Sequence, residues 1–195
     1  TDGSALVLDR NGDGSFRNYV GRYLIAAAQK ALDAGEDLSA FDWLTINGHK
    51  VQAMDFTKYV RYIKRMKLPP AFDATDLSSV ENDLFGTEEV AAQHFTRFGL
   101  QNSKVKSTMA EAHIVQMMNA LYYIGNNGTT TAKHWRIRHG TVDRHGSLAV
   151  PAIFTAKLKN LGYHVSLAFP WQVPHSGDYD LEELFEWIKT ICEKG

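Results

Sequence analysis

An aspartate and a histidine in the last third of the chain have the types and the spacing for acid–base chemistry. Asp143 lies in residues 140–144 (GTVDR), and His175 lies in residues 174–178 (PHSGD). A carboxylate beside an imidazole fixes its tautomer and stabilises the imidazolium that forms when a serine attacks a carbonyl. In this chain order the two residues fit the last two members of a Ser-Asp-His triad. The alternative is that Asp143 caps the following helix and that His175 is an ordinary loop residue.

The serine of such a triad has no candidate in this sequence. Hydrolases with this chain order place the serine in Gly-x-Ser-x-Gly on a strand-to-helix turn. Ser147 and Ser166 have histidine in place of the first glycine, and Ser15 has aspartate there. Cys192 falls in an apolar helical pattern and is predicted to lie in the core. We therefore expect the nucleophile on an N-terminal segment outside this chain, which opens at Thr1 without a methionine.

Two loops at the ends of strands must bring the acid and the histidine together. From about residue 130 the sequence alternates between strand and helix patterns. The segments are a strand at 134–139, a helix at 147–161, a strand at 165–169 and a helix at 181–192. This alternation predicts a parallel sheet, whose chemistry gathers outside the carboxyl ends of the strands. The loops at that edge are 140–146 and 171–180.

The region before residue 120 is predicted to be mainly helical. The asparagine–glycine pair at 47–48 lies between two apolar runs and is typical of a two-residue hairpin. The other predicted elements are a strand at Leu6–Leu8 and helices at 16–32, 55–66, from Thr87, and 107–124.

Composition excludes several classes of partner. The 195 residues carry 21 basic and 22 acidic side chains, and this balance argues against a nucleic-acid partner. The apolar runs are too short to cross a membrane. The single cysteine excludes an internal disulfide but leaves the compartment open.

Two patterns suggest metal sites, but other interpretations are favoured. Residues 9–14 (DRNGDG) copy the first half of a calcium loop, but Val20 stands where a bidentate glutamate is needed, so a tight turn is predicted. His139 and His145 flank Asp143, and metal binding by this pair is the weaker alternative. We predict neither a metal nor a cofactor.

Four segments of the chain resemble the bacterial tannases and related, feruloyl-esterase-like enzymes. They are residues 135–144 (WRIRHGTVDR), 170–180 (PWQVPHSGDYD), 67–73 (KLPPAFD) and 81–86 (ENDLFG). The resemblance implies an α/β fold, the C-terminal part of an α/β-hydrolase with an inserted, mainly helical lid. Residues 1–120 would be the lid, and residues 121–195 the C-terminal part of the hydrolase core.

The resemblance also implies roles for five residues. Asp143 and His175 match the triad acid and base, while Lys67 and Glu81 match lid residues that contact the ring hydroxyls of a galloyl group. Phenolic hydroxyls both donate and accept, so a cation and a carboxylate can hold them together. Without the resemblance, Lys67 and Glu81 fit a solvated surface pair. The family has an acidic ring contact where this chain has His145, which loses the charge-assisted acceptance of a carboxylate.

The function implied is serine-type hydrolysis of a galloyl or other phenolic ester. The partners would be the ester substrate and an N-terminal portion of the same hydrolase that carries the serine. The alternatives are a non-catalytic fragment and a module that binds a ligand or a protein. A reading frame that continues upstream into Gly-x-Ser-x-Gly would favour the hydrolase.

Overall fold

The computed structural model describes residues 3–66 and 70–193 and shows a mixed α/β protein. Its elements in chain order are α1 (Ser15–Asp33), β1 (Leu44–Asn47), β2 (Lys50–Met54), α2 (Phe56–Ile63), α3 (Val80–Asp83), α4 (Arg97–Gln101), α5 (Ala112–Met117), α6 (Ala120–Tyr123), β3 (His134–Arg138), α7 (Ala149–Asn160), β4 (His164–Ala168) and α8 (Leu181–Glu193). None of the described helices is both long and apolar enough to cross a membrane.

The chain divides into two compact units. The described residues of Thr1–Arg65 and Ala132–Gly195 form the first, and those of Met66–Thr131 form the second. The division therefore does not fall at the predicted boundary near residue 120. The reason is packing, because α1 contacts β4 and α7 from the far end of the chain. The assignment of residues 1–120 to an inserted lid stays a prediction.

The first unit contains the parallel pair that the strand–helix–strand pattern predicted. β3 and β4 pair in parallel, with His134 opposite His164 and Arg138 opposite Ala168, and α7 connects them. Parallel strands need such a crossover because both run in the same direction. Both strands consequently end at the same edge, from which the two predicted loops emerge.

The predicted hairpin is also confirmed. β1 and β2 pair antiparallel with Asn47 opposite Lys50, and Gly48 has the positive φ of 56° that a tight turn requires. Gln29 on α1 fixes the hairpin, since its Oε1 accepts from the Val51 N–H at 2.8 Å.

An apolar core joins the elements of the first unit. Its buried members are Tyr19, Val20, Leu24, Trp43, Tyr59, Ile63, Ala152, Leu167 and Phe169. Burial of each large apolar side chain contributes about 1.5–3 kcal/mol. This core holds α1, the hairpin and α2 on the parallel strands.

α2 is shorter than its sequence pattern predicted. It begins as expected at Asp55, whose side chain accepts from the Lys58 N–H. It ends at Ile63 rather than at residue 66, because Lys64 adopts a left-handed conformation with φ of 50°. The early end places Arg65 outside the helix.

The second unit has short helices around a polar cluster. Asp73, Asn82 and His94 are fully buried there. Asn82 and His94 both contact Asp73 Oδ1, Asn82 through Nδ2 at 2.8 Å and His94 through Nδ1 at 2.7 Å.

The helix predictions for this unit were partly wrong. Thr87 forms a turn with Val90 instead of starting a helix, because its hydroxyl and its N–H both bond to Val90. The helix predicted at 107–124 begins late, since the main chain on both sides of Met109 bonds to His94. It is then interrupted at Asn119, whose side chain caps the next helix.

Three smaller predictions have clear outcomes. Leu6–Leu8 is exposed coil rather than a strand, and Cys192 is exposed rather than in the core. The turn at residues 9–14 is confirmed, because Asp9 Oδ1 accepts main-chain N–H groups from Asn11 and Asp13 at 2.8 Å each.

Candidate active site

The loops after β3 and β4 are hydrogen-bonded to each other. The Thr141 N–H donates to the Pro170 carbonyl at 3.0 Å, and the Gln172 N–H donates to Thr141 Oγ1 at 2.7 Å. Gly140 permits this approach, because a Cβ atom there would lie 1.9 Å from the Val173 carbonyl oxygen. The two loops therefore form one hydrogen-bonded platform at the carboxyl edge of the sheet.

Asp143 and His175 meet on this platform. Asp143 Oδ2 lies 2.9 Å from His175 Nδ1. Their positions on adjacent strand-end loops predicted this meeting. A carboxylate accepts only, so His175 must donate its Nδ1–H.

Main-chain donors hold the Asp143 carboxylate in its charged form. Oδ1 accepts from the N–H groups of His145 at 2.8 Å and Gly146 at 2.9 Å. Burial opposes ionisation, but these two bonds and the one to His175 outweigh it and lower the pKa of Asp143 below its usual range. At neutral pH the group is a fixed anion.

The His175 side chain is open to its surroundings, with 58% of its surface exposed against 5% for Asp143. With Nδ1 protonated, the neutral imidazole presents a lone pair on Nε2, which hydrogen-bonds to none of the residues described. This pair can accept a proton at Nε2 and stabilise the resulting charge through Asp143.

His145 lies directly beside the histidine of the pair. Its ring centroid is 4.9 Å from that of His175, with 39° between the ring planes. His145, the predicted substrate contact, thus lies next to His175, the predicted base.

His139 is a neighbour of the carboxylate that the sequence suggested only as a metal ligand. Its Nε2 lies 3.3 Å from Asp143 Oδ2, and its Nδ1 lies 3.1 Å from the Gly140 carbonyl oxygen. Burial, the dominant effect, lowers the pKa of His139. Gly146 leaves room for this ring, since a Cβ there would lie 2.8 Å from Nε2. The only sequence signal for this contact is the four-residue spacing from Asp143.

The predicted ring-binding pair belongs to the other part of the chain. Glu81 lies on α3 in the second unit, where it is partly buried. Lys67 lies outside the described residues. Their role as ring contacts remains a prediction.

Solved tannases resemble the chain over nearly its whole length. Tannase from Lactobacillus plantarum is 44% identical to it, with a TM-score of 0.93 over 98% of this chain and 41% of that chain. Tannin acyl hydrolase in complex with ethyl gallate is also 44% identical, with a TM-score of 0.91 over 98% and 42%. Fusobacterium nucleatum tannase is 44% identical, with a TM-score of 0.86 over 97% and 41%.

This likeness supports an α/β-hydrolase-like fold for the chain. The chain spans about two-fifths of the length of these tannases. It matches no family model and no curated protein.

Proposed function

The chain belongs to the tannase family, and from that premise we propose that it supplies the acid and the base of a Ser-Asp-His triad for hydrolysis of galloyl or related phenolic esters. The observation that supports this most directly is the 2.9 Å contact between Asp143 and His175 at the carboxyl edge of the parallel strands. The serine belongs to the portion of a tannase that this chain does not span.

Each step of the proposed reaction gives the two residues a role. His175 Nε2 takes the proton of the serine hydroxyl as the serine oxygen bonds to the ester carbonyl carbon. The imidazolium returns this proton to the departing alcohol, leaving an acyl-enzyme. A water molecule then loses a proton to His175 as its oxygen bonds to the acyl carbon. The bond between that carbon and the serine oxygen breaks, the imidazolium returns the proton to the serine oxygen, and the acid is released. Asp143 stabilises the imidazolium each time it forms.

The acyl group is proposed to be a hydroxylated ring held by Lys67, Glu81 and His145. Support for this substrate class comes from the relative solved with ethyl gallate. The position of His145 beside His175 also supports a contact near the scissile bond.

The reaction is tested by hydrolysis of two matched esters, one galloyl and one without ring hydroxyls. The enzyme should contain both this chain and the serine-bearing portion. Lys67→Ala and Glu81→Ala should reduce kcat/KM for the galloyl ester about 10- to 100-fold more than for the other, because buried polar partners are left unpaired. Glu88→Ala, at an exposed carboxylate of the same unit, serves as the control.

Equal losses on the two esters would exclude ring recognition by these residues. His145→Asp introduces an acidic group at that position and should raise hydrolysis of the galloyl ester alone. No change on either ester would place His145 outside the acyl pocket. An encoding frame without Gly-x-Ser-x-Gly upstream would instead favour the binding-module alternative.

A further inference from the structure

Three polar side chains from α2 and the residues after it reach both loops of the candidate active site. The Tyr59 hydroxyl donates to the Thr141 carbonyl at 2.7 Å, and the Tyr62 hydroxyl donates to Gln172 Oε1 at 2.9 Å. Tyr59 and Tyr62 are three residues apart and so lie on one face of the helix. Arg65, three residues further on, contacts the loop that carries Asp143.

Tyr59 is suited to a permanent donor role. It is 1% exposed, and burial, reinforced by the negative charge of Asp143, raises its pKa far above the usual range. Its hydroxyl therefore stays protonated over the working range of an esterase. The contact fixes Thr141, which in turn accepts from the Gln172 N–H of the other loop.

Arg65 acts on a single peptide group. Its Nη2 donates to the His145 carbonyl at 3.2 Å, and the N–H of that same peptide, on Gly146, donates to Asp143 Oδ1 at 2.9 Å. A cation on the carbonyl side of a peptide strengthens its N–H as a donor and holds the peptide plane. The guanidinium thereby supports one of the two main-chain donors of the carboxylate.

A second contact fastens the same two segments together. The Arg144 Nε–H donates to the Lys64 carbonyl at 2.8 Å. Lys64, in its left-handed conformation, ends α2 immediately before Arg65. The segment 64–65 and the loop 144–145 thus exchange hydrogen bonds in both directions.

We propose that Arg65 is a positioning residue for the Asp143–His175 pair and that it works through the peptide between His145 and Gly146. This inference rests on the proposed role of that pair. Arg65 has no contact with the reacting atoms in this scheme. Without it, the Gly146 N–H that donates to Asp143 is no longer held in place, and the preference of His175 for the tautomer with the proton on Nδ1 weakens.

The test is the tautomer of neutral His175 in the full chain, measured from the ¹⁵N shifts of its imidazole nitrogens. Arg65→Met removes the donors while keeping much of the volume, and Arg65→Lys keeps a cation. Arg61→Ala, at an exposed residue of the same helix, is the matched control. Asp143→Asn, whose amide favours the tautomer with the proton on Nε2, shows the shifts of a His175 that has lost its carboxylate partner, and thermal unfolding verifies that each variant is folded.

We expect Nδ1–H in the parent, in Arg61→Ala and largely in Arg65→Lys, and a mixture in Arg65→Met. In the complete enzyme Arg65→Met should lower kcat about 10- to 100-fold with little change in KM, as expected for a displaced catalytic group. If Asp143→Asn changes the tautomer but Arg65→Met changes neither tautomer nor kcat, the positioning role is overturned and the proposed function stands. If Asp143→Asn leaves the tautomer unchanged, the pairing fails, and both proposals fail with it.

Discussion

Two hydrogen-bonded aspartate–histidine pairs occur among the described residues, one in each compact unit, and they differ mainly in exposure. Asp143 lies 2.9 Å from His175, and Asp73 lies 2.7 Å from His94. His175 is 58% exposed at its side chain, whereas His94 and Asp73 are 0% and 1% exposed. The residue types and the bonded nitrogen are the same in both pairs.

The two histidines also differ in what their second ring nitrogen, Nε2, contacts. His94 Nε2 lies 3.0 Å from Ser103 Oγ, which formally completes a serine–histidine–aspartate set. Ser103 Oγ is itself bonded to the Val105 carbonyl at 2.8 Å and to the Ser107 hydroxyl at 2.9 Å, so the set is a closed network. His175 keeps an open Nε2. An aspartate-bound histidine is therefore a candidate base only when its second ring nitrogen is accessible and has no hydrogen-bond partner.

The largest loss of activity is expected when His175, the histidine with the accessible Nε2, is removed. His175→Ala should lower kcat of the serine-bearing enzyme about 10⁶-fold, because the proposed mechanism assigns the serine proton to this side chain. The unfolding temperature should hardly change, since the side chain is exposed. Steady-state kinetics and thermal unfolding measure the two quantities. Retained turnover would show that His175 is not the base and that the two pairs do not differ in function.

A smaller loss of kcat is expected when Asp143, the acid that pairs with His175, is neutralised. Asp143→Asn should lower kcat about 10⁴-fold, because the amide favours the wrong tautomer of His175. The loss should appear in kcat with KM nearly constant. A decrease of less than tenfold would show that Asp143 does not orient the base.

Neutralising Asp73 of the buried Asp73–His94 pair should change the stability of the fold rather than turnover. Asp73 accepts from Asn82, His94 and both the N–H and hydroxyl of Thr96. Asp73→Asn should therefore cost about 1–3 kcal/mol of unfolding free energy, because buried donors lose their acceptor. Urea denaturation measures the change. Asp76→Asn, at an exposed carboxylate of the same unit, should have little effect, and equal effects would contradict a special role for Asp73.

The smallest effect concerns the pH dependence of that stability. Burial raises the pKa of Asp73, but hydrogen bonds from Thr96, His94 and Asn82 outweigh it and lower the pKa below its usual range. A lowered folded pKa stabilises the fold above the unfolded pKa of about 3.9, and this stability is lost as the pH falls through the folded pKa. Unfolding free energy should decline below about pH 4. The decline should be shallower in Asp73→Asn, and an unchanged slope would exclude Asp73 as its source.

Local patterns in the sequence predicted much of the first unit. The alternation of strand and helix from residue 134 and the turn at Gly48 are set by side-chain period and backbone freedom, so β3, α7, β4 and the hairpin follow from them. The second unit was predicted less well. Around Met109 the backbone of this unit bonds to the main chain of His94 and to the side chain of Gln93. These long-range hydrogen bonds override helix propensity near Met109.

The sequence by itself determined that Asp143 and His175 lie on adjacent strand-end loops, because the loops that carry them directly follow the short strands of one parallel pair. Only the tertiary structure decided what supports them. Tyr59 lies on α2 and Arg65 lies just after its end, about 80 residues earlier in the chain. No local pattern reports such a contact, since it depends on how α2 packs against the apolar core and on where Lys64 ends the helix.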